Sequence, residues 1–138
     1  VTRLLTPEET FDWGKALGQS LQAGAVIALC GNLGAGKTQA SKGITAGLQC
    51  EQSVSSPTFS LVHEYVGGRL PVFHFDFYRM ESEGDVVGLG WDDYLDEAGV
   101  VIVEWADRFS QLMPEHTRWF FLEHAGEAGR TVTEGGRG

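Results

Sequence analysis

Residues 25–38 read AVIALC-GNLGAGKT, a wholly apolar run joined directly to a glycine-rich octapeptide. Six apolar residues without alternation suit a strand buried on both faces, as in a parallel sheet. Gly31-Asn32-Leu33-Gly34-Ala35-Gly36-Lys37-Thr38 then matches G-x-x-x-x-G-K-[ST] at every position. Lys37 to about Leu48 reads as a helix. A chance glycine-rich turn would not come with a buried strand before it and a helix after it.

Each residue type in that loop has a physical task. The glycines let the main chain curl so that successive N–H groups point at one anion. The helix that follows adds the positive end of its dipole. These features make Asn32, Leu33, Gly34, Ala35, Gly36, Lys37 and Thr38 candidate nucleotide-binding positions. Lys37 suits the β- and γ-phosphates, and the Thr38 hydroxyl suits Mg²⁺, which takes oxygen ligands.

The remaining chain reads as an α/β domain over residues 1–138. Thr6-Pro7-Glu8-Glu9 opens a helix with a capping box, continued by Trp13, Ala16, Leu17 and Leu21 at helical spacing. Phe59 to Val66 and Leu70 to Phe77 have β character around Gly67-Gly68, a hairpin inserted in the parallel pattern. Glu81 to Glu97 is acidic and holds one or two helices; it reads as a solvated face, with a docking surface as the alternative. Val100 to Val103 is a second buried strand, and Ala106 to Met113 a short helix stopped by Pro114. Thr117 to His124 and Arg130 to Thr133 close the sheet, and 134–138 are expected to fray.

Charge and composition narrow the function. Ten basic against nineteen acidic residues leave a net charge of −9, which disfavours direct contact with nucleic acid. A local phosphate site needs only oriented amides and a cation or two. No apolar stretch approaches a membrane span, and no signal peptide is visible. Cys30 and Cys50 lack C-x-x-C spacing, and Cys30 reads as a core residue, so a reduced, cytoplasmic setting is expected.

Phosphoryl chemistry needs a carboxylate near Mg²⁺ and a group that orients water. Asp76 ends VFHF and Glu104 ends VVIV, so both fall at the carboxyl edge where ligands collect in open α/β sheets. The spacing leaves open which carboxylate serves metal and which serves water; a turn or cap role is the alternative for Asp76. Trp105 packs beside the nucleotide, in the core or in a surface patch. Thr58, in Ser56-Pro57-Thr58, falls where a switch loop would lie. Arg79 and Arg108 are candidates for charge stabilisation, with ion pairing as the alternative. His63, His74, His116 and His124 have no ligand-like spacing.

Taken in order, GNLGAGKT (31–38), SPTFSLV (56–62), HFDFYR (74–79), LGWDDY (89–94), VEW (103–105) and Gly129-Arg130 resemble the TsaE (YjeE) family, bacterial P-loop ATPases of tRNA N6-threonylcarbamoyladenosine biosynthesis. The resemblance covers roughly residues 4 to 133. It implies a P-loop NTPase fold, mainly a parallel sheet flanked by helices with inserted antiparallel strands. It implies ATP or ADP with Mg²⁺ and weak intrinsic hydrolysis, with Lys37 on phosphate and Thr38 and Glu104 on the metal. It makes Asp76 an essential acidic residue near the metal, gives Trp105 a functional role, and puts Thr58 in a switch-like loop. It also implies partners: the threonylcarbamoyl transferase and its paralogous subunit, with tRNA met only indirectly. Asn32, Gln39 and Met80 depart from the family's usual acidic residue, Thr and Leu, while Gly36, Lys37 and Thr38 are kept.

Three function classes share such a loop: a partner-coupled ATPase, a small-molecule or nucleotide kinase, and a non-catalytic ATP-gated module. Seven arginines and three lysines without a clustered cationic lid argue against the kinase. The guanine-selecting N-K-x-D is absent, which favours adenine over guanine. Lys37→Ala should abolish nucleotide affinity or turnover. Calorimetry with ATP and Mg²⁺ checks this, and unchanged binding and hydrolysis would reject the loop assignment.

Overall fold

A computed structural model describes residues 2–32, 36–55, 62–124 and 129–136 of the chain. In order they form β1 (Thr2–Leu5), α1 (Pro7–Ser20), β2 (Val26–Cys30), α2 (Lys37–Gly47), β3 (Gln52–Ser55), β4 (Val62–Val66), β5 (Val72–Asp76), α3 (Glu83–Gly88), α4 (Trp91–Leu95), β6 (Val100–Glu104), β7 (Arg118–His124) and β8 (Arg130–Gly135). A 3₁₀ turn, Phe77–Arg79, follows β5, and a 3₁₀ segment, Ala106–Leu112, follows β6.

All eight strands share one sheet in the order β1-β8-β7-β2-β6-β5-β4-β3. The middle four run parallel, β2 between β6 and β7, and β5 beyond β6. Antiparallel strands continue the sheet on both sides: the foreseen β4–β5 hairpin with β3, and β8 with β1. β1 and β3 were not legible as strands. Each has four residues, and QSVS carries no apolar alternation; pairing to β8 and β4 defines them. β8 runs to Gly135, so Glu134 and Gly135 are strand residues, not tail, and Glu134 forms an ion pair with Arg118 at 2.8 Å.

β2 and β6 are buried at every position because helices cover both faces of the sheet. Alternate residues point opposite ways. Ile27, Leu29, Val100 and Ile102 pack with Ala40 and Ile44 of α2 and its C-cap Leu48, while Val26, Ala28, Cys30, Val101 and Val103 pack with Val86, Trp91 and Ala106. The acidic segment resolves into α3 and α4. Its carboxylates are exposed and Trp91 turns inward, its Nε1 donating to the Leu112 carbonyl at 3.1 Å. Among the described residues no helix is long and apolar enough to cross a membrane.

α1 starts as its sequence demands. The Thr6 hydroxyl accepts from the Glu9 N–H at 3.2 Å, and Glu9 Oε1 accepts from the Thr6 N–H at 2.9 Å. Its packing face differs from the apolar stripe. Trp13, Leu17 and Leu21 do join the core, but Ala16 is exposed, and the centre of the face is Gly14 and Gly18. They lie against the backbone of Ala40 and Ile44, and Gly43 and Gly47 of α2 lie in turn against the backbone of Phe11 and Lys15. A Cβ at Gly14 would lie 2.5 Å from the Ala40 carbonyl oxygen, and one at Gly43 would lie 2.2 Å from that of Phe11. Gly43→Ala should therefore lower unfolding stability by about 1–3 kcal/mol, the usual range for overpacking. This loss should appear despite the roughly 1 kcal/mol that alanine gains in helix propensity. Urea unfolding of the variant measures the balance, and an unchanged midpoint would show that the helices separate without cost.

Candidate functional site

The parallel centre delivers the ends of β2, β5 and β6 to one edge of the sheet. Cys30 leads into the glycine loop, while Asp76 and Glu104 are direct partners in the β5–β6 register. Leu33, Gly34, Ala35 and Thr58 lie outside the described residues. Asn32 is exposed at the end of β2. Gly36 caps α2 in the left-handed region at φ 103° and offers no side chain to the first helical N–H groups, leaving them for an anion. A substituent there would meet the Arg130 Cδ at 2.8 Å, a flexible side chain that can shift, so it is the positive φ that calls for glycine.

Lys37 is 4% exposed. Its Nζ donates to the Gly31 carbonyl at 2.6 Å and the Asn32 carbonyl at 2.7 Å, and lies 4.1 Å from the centre of the Trp105 ring. Burial pushes its pKa below the usual lysine range, and the charges of Glu104, Asp107 and Asp76 oppose that push. Trp105 follows β6 with φ 60°, a left-handed conformation that costs a non-glycine residue on the order of 1–3 kcal/mol. Its N–H bonds to the Leu29 carbonyl at 2.9 Å, and its ring packs against Tyr78 at 4.8 Å. Trp105 thus lines the cleft while also packing against the core.

Glu104 is 6% exposed and receives three side-chain donors. Thr38 Oγ1 donates to its Oε1 at 3.3 Å, Ser41 Oγ shares its hydrogen between the Lys37 carbonyl at 3.0 Å and Oε2 at 3.3 Å, and His74 Nε2 meets Oε2 at 2.7 Å. Burial alone would raise its pKa. His74, Thr38 and Ser41 outweigh that and hold the carboxyl below its usual range. Asp76 is half-buried, and its Oδ1 accepts from the Tyr78 N–H at 3.0 Å, so it caps the 3₁₀ turn and lines the cleft at once.

These residues wall a cleft of about 330 Å³ completed by Gln39 and Arg130. Lys37, Thr38, Asp76, Glu104 and Trp105 are thereby brought together. Arg79 and Arg108 do not line it. Arg79 is exposed, and Arg108 lies 5.1 Å from the Phe109 ring; among the described residues neither closes a salt bridge. Cys30 is a core residue whose thiol burial pushes up to about 12, with Asp107 adding to the shift.

His74, Ser41, Tyr78 and Arg130 reached the site without being singled out for it. Two signals were present in the sequence. Ser41 sits one helical turn after Thr38, and His74 alternates with Asp76 on the same strand face. Tyr78 and Arg130 enter through the turn after β5 and the pairing of β8, which no local pattern announces.

A family model described as threonylcarbamoyl adenosine biosynthesis protein TsaE matches residues 4–132. The chain is 40% identical to the tRNA threonylcarbamoyladenosine biosynthesis protein TsaE of Bacillus subtilis (strain 168), over 95% of this chain and 82% of that protein. It is 36% identical to the protein of the same name from Treponema pallidum (strain Nichols), over 91% of this chain and 93% of that one. The crystal structure of Bacillus subtilis YdiB superposes with a TM-score of 0.80 at 32% identity, covering 100% of this chain and 86% of that chain. Because the matched stretch runs from β1 into β8 and takes in every strand that shapes the cleft, the chain belongs to the TsaE family of threonylcarbamoyl adenosine biosynthesis proteins.

Proposed function

We propose that this chain is an ATP-binding, Mg²⁺-dependent and slowly hydrolysing subunit of tRNA N6-threonylcarbamoyladenosine synthesis. In this reading residues 1–138 act as one cytoplasmic nucleotide-binding domain. The domain works through the threonylcarbamoyl transferase and its paralogous subunit and meets tRNA only indirectly. The observation that carries the reading is the Thr38 hydroxyl bonded to the buried Glu104 carboxylate at the head of α2. The names of the relatives supply the pathway.

The donor set fits a hard divalent cation: a hydroxyl, and a carboxylate whose lowered pKa keeps it anionic at neutral pH. Thr38 and Glu104 would hold Mg²⁺, which supplies Lewis-acid stabilisation of phosphate charge. Lys37 exchanges its bonds to the Gly31 and Asn32 carbonyls for bonds to phosphate oxygens. The open amides at the start of α2 cradle the polyphosphate, with Trp105 shielding the ammonium from water. Asp76 lies one strand from Glu104, roughly 4.8 Å away along the sheet, where it can orient a water. Lys37 and Arg130 are the cationic residues lining the cleft, which suits slow hydrolysis unless a partner adds charge stabilisation.

Phosphate release from ATP, assayed with and without the transferase heterodimer, tests the reading. Slow release that rises with the heterodimer is the expected result. Rapid transfer to a small acceptor without partners would replace it with a kinase, and ATP-dependent assembly without hydrolysis with a bare switch. Asp76→Asn should cut turnover by about 10²-fold or more while ATP affinity changes little, as for loss of a water-orienting group.

Glu104 also sets an acid limit on stability. Its folded-state pKa lies below the unfolded value of 4.5, so its contribution is complete above that pH and is lost as pH falls through the folded pKa. Urea midpoints of Glu104→Gln should fall less steeply than those of the unaltered chain as pH drops below 4.5. Parallel curves would remove Glu104 from the acid transition.

A further inference from the structure

We infer that His74 is a positioning residue for the metal carboxylate: with Ser41 it holds Glu104 Oε2, so that Oε1, shared with Thr38, is the oxygen turned to Mg²⁺. The inference deepens the proposed reading and rests on it.

The geometry is specific to one oxygen. Oε2 takes both His74 Nε2, at 2.7 Å, and Ser41 Oγ, at 3.3 Å, whereas among the described residues Oε1 takes the Thr38 hydroxyl alone. An ionised carboxylate can only accept, so His74 Nε2 must carry the proton it donates. Oε1 therefore keeps acceptor capacity on the side of Thr38, the other oxygen donor suited to the metal. Glu104 has three rotatable bonds; without the bond at Oε2 its carboxylate is free to turn, and metal affinity falls with that freedom.

His74 is also out of place as a mere core residue. It stands between Val72 and Asp76 on the α2 face of β5, where Val72, Val100 and Ile102 form an apolar cluster. Its side chain is 14% exposed and that of Glu104 is 8%, so water competes little for their bond. On the far side of His74 and Ser41 lies a separate cavity of about 280 Å³, lined also by Thr45, Cys50 and Tyr65. Thr38 lines both spaces, while His74 and Ser41 line that cavity and reach Glu104, which lines the nucleotide cleft.

The test compares nucleotide affinity with and without Mg²⁺, using a fluorescent ADP analogue and the intact chain. Removing the donor while keeping ring volume, His74→Phe, should raise the apparent Mg²⁺ dissociation constant about tenfold or more, the scale of lost outer-shell partners. Mg²⁺-free affinity for the analogue should stay within about threefold, because the phosphate loop is untouched. His74→Gln places an amide N–H near the Nε2 position and should restore most of the Mg²⁺ affinity. Ser41→Ala, removing the weaker contact to the same oxygen, should move it in the same direction by less, and serves should His74→Phe fail to fold. Equal losses with and without Mg²⁺ would reduce His74 to a structural residue and overturn the inference, as would unchanged Mg²⁺ dependence in both His74→Phe and Ser41→Ala. If the unaltered chain itself shows no Mg²⁺ effect on nucleotide binding, the functional reading fails and takes this one with it. A Mg²⁺ effect in the unaltered chain that the variants keep in full defeats the inference alone.

Discussion

Parallel pairing of β2 with β6 on one side and β7 on the other is the constraint from which the site follows. Parallel neighbours need crossover connections, which lay helices on both faces and bring the strands' carboxyl ends to the same edge. The glycine loop, Asp76 and Glu104 each come directly after or at the end of such a strand. None of them needs a long or special loop to reach the cleft. α2 must turn back from that edge onto the sheet, and α1 must then cover α2, which four glycines allow at backbone distance.

Two opposite charges are then buried within one cleft, and each is handled differently. Lys37 is satisfied by main-chain carbonyls and an aromatic face, contacts that a polyphosphate can replace. Glu104 is held by hydroxyls and an imidazole from two separate elements, contacts that fix its direction. Leaving either charge without such partners would cost several kcal/mol. The left-handed backbone of Trp105 belongs to the same arrangement, since it turns the chain sharply after Glu104 and carries the indole over Lys37.

Support for Asp76 comes from the other face of the sheet. Phe75, Phe77, Trp91 and Phe109 pack ring against ring beneath the turn that Asp76 caps, with centroids 5.0 Å apart for Phe75–Trp91 and 5.6 Å apart for Phe77–Phe109. The acidic helices α3 and α4 therefore serve the site through Val86, Trp91 and Tyr94, while their carboxylates stay in solvent.

Sequence by itself determined what depends on neighbours in the chain. The phosphate loop between an apolar run and a helix, the Thr6–Glu9 capping box, the hairpin around Gly67, and carboxylates at two strand ends are all short-range patterns. Each has a physical cause that acts within a few residues. Tertiary structure decided what depends on register and contact across the sheet. β1 and β3 are strands because β8 and β4 offer them hydrogen bonds, not because of their own composition. Gly14 and Gly18 outweigh the apolar stripe of α1 because the facing helix also presents glycines. The difference between Asp76 and Glu104 emerges only where His74, Ser41 and Thr38, far apart in the chain, converge on a single carboxylate. A side chain's role is local when its partners are sequence neighbours, and becomes visible only in the fold when they arrive from other strands and helices.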